Sequence, residues 1–166
     1  MEDFCQITGR LAEQKYQGSY EQIGKAILKY SEFPGLDAIS FLEMILFSFL
    51  TGNADMHFKN VSLIQQTGNQ YVLSPAYDLV ATKIVNPSDL EEMALTINGR
   101  KSKIKRTDFE AFVKTLKLSV QQKDQVFSKM VESKEKWRDL IKIGFLPLEM
   151  KEKFFELLEK RFAIFH

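Results

Sequence analysis

The segment from Leu36 to Thr51 constrains the fold most, because apolar residues cover nearly the whole surface of the helix it predicts. These residues are Ile39, Phe41, Leu42, Met44, Ile45, Leu46, Phe47, Phe49 and Leu50. A helix that is apolar on almost every side belongs in the middle of a domain. Gly52 follows at the position where helices commonly end in a left-handed residue. We therefore expect a core helix that begins after a break at Pro34-Gly35 and ends at Thr51.

Composition limits the kinds of protein that this chain can be. Its 166 residues, 45% of them apolar and 14 of them Phe, suit one domain with a sizeable core. The 23 basic and 22 acidic residues give a net charge of +1, which provides no general attraction for nucleic acid or an anionic membrane. A single cysteine, Cys5, excludes an internal disulfide, and the first residues lack a secretory signal. These features predict a cytoplasmic protein that is not embedded in a membrane.

Short strands and several helices are predicted around the core helix. Val61 to Ile64 and Tyr71 to Leu73 flank a turn containing Gly68-Asn69, which is typical of a hairpin. A second hairpin, with a type I′ turn at Asn98-Gly99, is expected after Met93 to Ile97. Further helix signals are a short helix over residues 2–8, capping boxes starting at Ser19, Thr107 and Ser119, and Pro147 in the first turn of a last helix. The fold class is α+β and mainly α, with residues 1–166 as one domain.

The loop from Thr51 to Asn60 concentrates reactive polar side chains. They are Asn53, Asp55, His57, Lys59 and Asn60. Asp55 and Asn60 are five positions apart, the spacing of the catalytic Asp and metal-binding Asn in protein kinases. The first hairpin would bring Asp78 back beside them. Asp78 follows these two residues in the chain, as the metal-binding Asp does in protein kinases. Carboxylate and amide oxygens suit magnesium that keeps substrate phosphates as further ligands.

Two stretches make the resemblance to a family specific. Gly-Asn-Ala-Asp-Met-His-Phe-Lys-Asn-Val-Ser-Leu begins at Gly52, and Leu-Ser-Pro-Ala-Tyr-Asp-Leu-Val-Ala-Thr begins at Leu73. Both closely resemble the active-site region of HipA-like serine/threonine kinases, the toxins of toxin-antitoxin pairs. Glu2 to Gln6 and Lys15-Tyr16 resemble the segment that enters the C-terminal lobe of that family. The resemblance covers about the first half of the chain well, and the second half only by general pattern.

The resemblance implies a protein-kinase-like C-terminal lobe that transfers the ATP γ-phosphoryl group to a protein hydroxyl. Asp55 would be the catalytic base, and Asn60 and Asp78 would be magnesium ligands. The residues implied along the nucleotide are His57, Phe58, Lys59, Asn60, Tyr77 and Asp78. The implied partners are a DNA-binding antitoxin, operator DNA through that complex, and a protein substrate, which for some relatives is an aminoacyl-tRNA synthetase.

The lobe that grips ATP in such kinases has no counterpart among the residues of this chain. The eight glycines are scattered, and none of them forms the glycine-rich cluster that covers phosphates. We therefore expect this chain to be the C-terminal lobe alone, with little kinase activity by itself.

Other interpretations of the same residues stay open. Asp55 could cap a turn, His57 could be a buried structural group, Lys59 could pair with Asp55, and Tyr77 could pack under the loop. The basic segment could contact nucleic acid or only keep a hairpin soluble, through Arg100, Lys101, Lys103, Lys105 and Arg106.

Two alternative functions remain. One is a non-catalytic partner-binding module that keeps the kinase-lobe fold. The other is metal-dependent phosphate-ester hydrolysis on Asp55, His57 and Asp78, which is weaker because the sequence has only two histidines and His166 is the last residue.

Overall fold

Helix α3 (Pro34–Thr51) is the central element of the structure, a computed structural model that describes residues 1–165. It packs against helices α2 (Tyr20–Tyr30), α6 (Val120–Glu132) and α8 (Leu148–Phe162). By length and composition alone α3 could cross a membrane, yet its side chains lie within the core formed by those helices. The predicted core helix and its left-handed end at Gly52 are confirmed.

The start of α3 differs from the prediction. Pro34 is the first helical residue rather than part of a break before the helix. Proline fits there because its φ is already helical and the first amide needs no partner inside the helix. In the same first turn, the buried carboxylate of Asp37 accepts hydrogen bonds from the Leu73 amide, at 2.7 Å, and from the Ser31 hydroxyl. Asp37 therefore attaches the sheet to the core helix.

The sheet has three antiparallel strands in the order β1 (Glu2–Asp3), β2 (Ser62–Gln65) and β3 (Tyr71–Leu73). The predicted first hairpin is confirmed, with Leu63 opposite Leu73 and with Gly68 and Asn69 at positive φ in the turn. Strand β1 was not predicted, since two residues are too few to show an alternating pattern. Helix α1 (Phe4–Ile7) follows it directly, so the helix predicted over residues 2–8 is present only over residues 4–7.

The second predicted hairpin is only partly present. Asn98 and Gly99 have φ values of 48° and 75°, as a type I′ turn requires, and Ile97 and Arg100 exchange both backbone hydrogen bonds. The ladder stops there, so the prediction of paired strands is wrong. Thr96 instead bonds with Gly18 and Tyr20, because the buried segment before the turn lies against the start of α2.

The remaining α-helices are α4 (Thr82–Val85), α5 (Arg106–Thr115) and α7 (Lys134–Ile143), and short 3-10 helices cover Ala12–Gln14, Phe58–Asn60 and Ala163–Phe165. The capping boxes at Ser19 and Ser119 are confirmed. The box predicted at Thr107 is wrong, since α5 already begins at Arg106 and the Asp108 carboxylate accepts the Lys105 amide at 2.8 Å. Pro147 immediately precedes α8 instead of lying within its first turn.

Replacing Gly52 by alanine is expected to destabilise the fold by about 1–3 kcal/mol, because φ is +77° and the new Cβ would lie 2.5 Å from Leu157 Cδ2. Gly68→Ala is the matched control, since φ is +83° there but no atom lies within 4 Å of the added Cβ. Urea unfolding measures both variants. Equal losses in the free energy of unfolding would show that packing around Gly52 contributes nothing beyond the backbone cost.

Candidate active site

The polar loop is attached to the fold where α3 ends. The Gly52 carbonyl accepts hydrogen bonds from the Lys83 amide at 3.0 Å and from the Thr82 hydroxyl at 3.3 Å. The Thr82 oxygen also accepts the Ala54 amide at 2.9 Å. Helix α4 therefore holds both sides of the turn that leads to Asp55.

Asn53 and Asn60 give the loop its internal geometry. The Asn53 Oδ1 accepts the Asp55 amide at 3.0 Å, and its Nδ2 donates to the Asp78 carbonyl at 3.5 Å. Asn60 Nδ2 donates to the Asp55 carbonyl at 2.9 Å. Both asparagines are buried. The expected return of Asp78 to this loop is thus observed, and Asn53 provides a direct contact between the two segments.

Asp78 has an unusual backbone for a residue with a side chain. Its φ is 53°, in the left-handed region, and the residue is exposed. The neighbouring Tyr77 donates its hydroxyl to the Lys59 carbonyl at 2.8 Å and also bonds with Ser62. The position of Asp78 is therefore fixed on one side by Tyr77 and on the other by Asn53.

Tyr16 is the contact that the sequence interpretation missed. Its hydroxyl donates to Oδ1 of Asp55 at 2.6 Å, and this hydrogen bond raises the pKa of Tyr16 to about 12. The Tyr16 and His57 rings pack edge to face, with their centroids 4.9 Å apart. Tyr16 and Asp55 are 39 residues apart, so no local pattern could pair them. Asp55 consequently keeps one carboxylate oxygen on the phenol.

His57 belongs to the loop, and its ring is buried. Burial, followed by the nearby charge of Lys15, lowers the pKa of His57, which keeps the imidazole neutral near pH 7. Its Nδ1 has no hydrogen-bond partner within residues 1–165. A neutral buried imidazole supplies no charge for phosphate, which favours the structural interpretation of His57.

Phe58 and Tyr77 act mainly in packing. The Phe58 ring is fully buried with the Arg10 guanidinium 4.3 Å above it, so the ring itself packs in the core, while the place of residue 58 along the nucleotide stays a prediction. The half-buried Tyr77 packs under the loop through its hydroxyl contacts. Lys59 is exposed, and within the described chain it forms no salt bridge with Asp55. Its amine is therefore available to a ligand in solution and does not orient Asp55.

The donor set at the loop fits a magnesium ion shared with phosphates. Because Asn60 uses Nδ2 to bind the Asp55 carbonyl, its Oδ1 is left to act as a neutral ligand. The exposed Asp78 supplies a carboxylate. No group of three His, Cys, Asp or Glu side chains suitable for a metal occurs among residues 1–165, so the hydrolase alternative on Asp55, His57 and Asp78 gains no support.

The basic segment after the second turn is largely paired. Lys101 lies 3.2 Å from Glu91, Arg106 lies 3.3 Å from Glu110, and Arg100 lies 3.8 Å from Asp108. Arg106 also donates to the Phe165 carbonyl at 2.8 Å. Lys103 and Lys105 are exposed. A nucleic-acid contact here would therefore depend on those two lysines.

The loop, the returning Asp78 and the helical body together match a known family. Residues 1–138 match the family described as "HipA-like C-terminal domain". The chain belongs to this family.

Similar proteins extend this comparison. A protein named "Putative kinase Y4dM" from Sinorhizobium fredii (strain NBRC 101917 / NGR234) is 42% identical over 83 residues, which cover 49% of this chain and 20% of that protein. "Putative kinase Y4mE" from the same strain is 31% identical over 103 residues, covering 60% of this chain and 24% of that protein. The alignments thus span about a quarter or less of these curated relatives.

A solved structure supports the fold along nearly the whole chain. It is described as the "Shewanella oneidensis MR-1 Toxin Antitoxin System HipA, HipB and its operator DNA complex". The TM-score is 0.67 with 19% sequence identity, over 98% of this chain and 42% of that one. The predicted α+β, mainly α fold of a HipA-like C-terminal lobe is confirmed.

Lowering the pH is expected to destabilise the protein partly through His57. Its pKa in the folded state lies below the ordinary 6.5, so below that pH the unfolded chain binds more protons than the native state. The contribution of neutral His57 to the free energy of unfolding is complete above about pH 6.5. It is lost as the pH falls through the pKa of His57 in the folded state. Urea midpoints of wild type and His57→Gln, compared between about pH 7.5 and about pH 5, measure this. Parallel losses in the two proteins would contradict it, since the carboxylates contribute equally to both.

Proposed function

We propose that the chain is the C-terminal catalytic lobe of a HipA-like serine/threonine protein kinase, which transfers the ATP γ-phosphoryl group to a protein hydroxyl once an N-terminal lobe completes the site. The observation that carries the proposal is the convergence of Asp55, Asn60 and Asp78 through the two asparagine amides. Family membership and the kinase names of the relatives agree with it.

Asp55 is the group that we assign to the acceptor hydroxyl. Phosphoryl transfer needs a carboxylate that orients this hydroxyl and takes up its proton as the bond to phosphorus forms. Tyr16 occupies Oδ1, so Oδ2 is the oxygen that remains for the acceptor. Because Asp55 is partly exposed, a protein hydroxyl can reach it from solvent.

Asn60 and Asp78 are the residues that would hold magnesium, and Lys59 would approach the phosphates as a point charge. Bound magnesium neutralises the charge of the β- and γ-phosphates during transfer. The protein contributes orientation: Asn53 holds the Asp78 segment, and the Asp55 carbonyl holds Asn60. The Asn60 side chain and the Asp78 backbone are therefore held in place before the nucleotide arrives.

The chain alone is expected to show little ATP turnover, and joining it to an N-terminal lobe of a HipA-like kinase should restore phosphoryl transfer. In that joined protein, Asp55→Asn should lower kcat by about a hundredfold or more while Mg·ATP affinity measured by calorimetry stays the same. Asp78→Asn should weaken Mg·ATP binding on the order of tenfold, since the metal ligand no longer carries a charge. Asp124→Asn, on the exposed face of α6, is the matched control.

Two results would contradict the proposal. Substantial magnesium-dependent turnover by the isolated chain, abolished by Asp55→Asn, would show that no second lobe is needed. If Asp78→Asn leaves the Mg·ATP affinity of the joined protein unchanged, the non-catalytic partner-binding module is favoured instead.

The partner of the complete protein is proposed to be a DNA-binding antitoxin, as in the complex of the Shewanella relative. If Lys103 and Lys105 contact operator DNA in that assembly, Lys103→Glu/Lys105→Glu should reduce the salt dependence of DNA binding by about 0.9 in slope for each phosphate that the variant no longer neutralises. Lys136→Glu/Lys160→Glu changes the net charge equally at exposed positions on α7 and α8 and should leave the slope unchanged. Identical slopes for both double variants would exclude a DNA contact at residues 103 and 105.

A further inference from the structure

Four lysines surround one groove on the side of the molecule formed by α2 and the end of α5. The groove has a volume of about 340 Å³ and is lined by Lys25, Leu28, Lys29, Lys114, Thr115 and Lys117. Lys25 and Lys29 lie about 8 and about 14 Å along the α2 axis from Tyr20, the α2 residue that touches the polar loop. The groove is thus separate from the candidate active site.

No carboxylate neutralises this lysine groove within the described chain. None of its four lysines forms a salt bridge, although six other lysines do. Two carboxylates lie four residues before a groove lysine, but each of them binds another partner. Glu21, before Lys25, accepts the Asn98 amide at 2.7 Å, and Glu110, before Lys114, pairs with Arg106. Positive charge therefore accumulates around a concave surface, where it repels itself.

Lys117 adds an independent observation. It lies just beyond the end of α5 with φ at 56°, and its amide donates to the Lys114 carbonyl at 3.1 Å. Glycine is the usual residue at such a helix end, because a side chain there costs backbone energy. The chain thus bears a strained backbone at the position that adds a fourth lysine to the lining of the groove. Strain of this kind often marks a functional position.

Helix dipoles offer a purely structural explanation that the test must separate. Lys29 and Lys114 lie in the last turns of α2 and α5, where positive charge is favourable. That explanation accounts for one lysine in each helix. It does not account for Lys117, whose conformation costs stability, or for Lys25, which lies further from the helix end.

We propose that the lysine groove binds a small anion that carries several phosphate groups, such as free polyphosphate or the phosphate chain of a nucleotide. Ammonium groups act as point charges that suit clustered phosphate oxygens, and the Thr115 hydroxyl can donate a further hydrogen bond. The four lysines line one open groove, whereas duplex nucleic acid is recognised by a basic stripe along a face. A compact ligand therefore fits better than a long one.

Calorimetry with sodium tripolyphosphate, in EDTA so that no magnesium site contributes, tests the proposal on the purified chain. Lys25→Glu/Lys114→Glu should weaken binding about tenfold or more, while Lys136→Glu/Lys160→Glu, with the same net charge, should change it less than about twofold. Lys117→Gly is the sharpest variant. It should raise the midpoint of thermal unfolding, because strain is relieved, and yet weaken tripolyphosphate binding.

Several outcomes would overturn the proposal. If tripolyphosphate does not bind, or binds equally to both double variants, the groove is not a binding site. Unchanged tripolyphosphate binding by Lys117→Gly, whatever its unfolding midpoint, would show that Lys117 takes no part and would overturn a site of four lysines. If duplex DNA binds and tripolyphosphate does not compete with it, the groove is a nucleic-acid-binding surface and not a site for a small anion. Asp78→Asn should leave tripolyphosphate binding unaltered, so a failure here is distinguishable from a failure of the kinase proposal.

Discussion

The end of α3 at Gly52 is the constraint on which the rest of the site depends. The helix cannot shift, because helices pack around it and Asp37 binds the sheet to its first turn. At its other end, the Phe49 carbonyl accepts the Gly52 amide at 3.2 Å and also the buried guanidinium of Arg161 at 3.0 Å. Gly52 then turns the chain in a conformation that other residues rarely adopt. The polar loop therefore begins from a fixed position.

Preorganisation of the loop comes from segments that are far apart in the sequence. The Tyr20 hydroxyl donates to the Met56 carbonyl, the Lys15 carbonyl accepts the Phe58 amide, and Thr82 holds Ala54. These contacts satisfy backbone groups that would otherwise be buried without partners. The consequence is a division of the loop into buried residues that fix its shape and outward residues that are free for chemistry. A catalytic constellation needs this kind of support to keep its geometry.

Local patterns predicted the parts of this fold that depend on neighbouring residues. The core helix, the Gly52 end, the first hairpin and two capping boxes each follow from a few adjacent side chains, and the same is true of the spacing between Asp55 and Asn60. Contacts across the chain could not be predicted in this way. The pairing of β1 with β2, the Asp37 bond to Leu73 and the Tyr16 bond to Asp55 join residues whose patterns are unrelated. The burial of the Phe58 ring could not be predicted either, because adjacency to reactive residues says nothing about which way a ring packs.

Asp55 and Asp78 have different environments although both are acids near one loop. Asp55 shares an oxygen with a phenol and stands where an acceptor hydroxyl can approach. Asp78 is exposed on a strained backbone that glycine would adopt more easily, and Asn53 contacts its carbonyl rather than its carboxylate. Proton transfer requires a directed oxygen and metal binding requires an accessible one, so the two environments suit the two roles proposed for these acids.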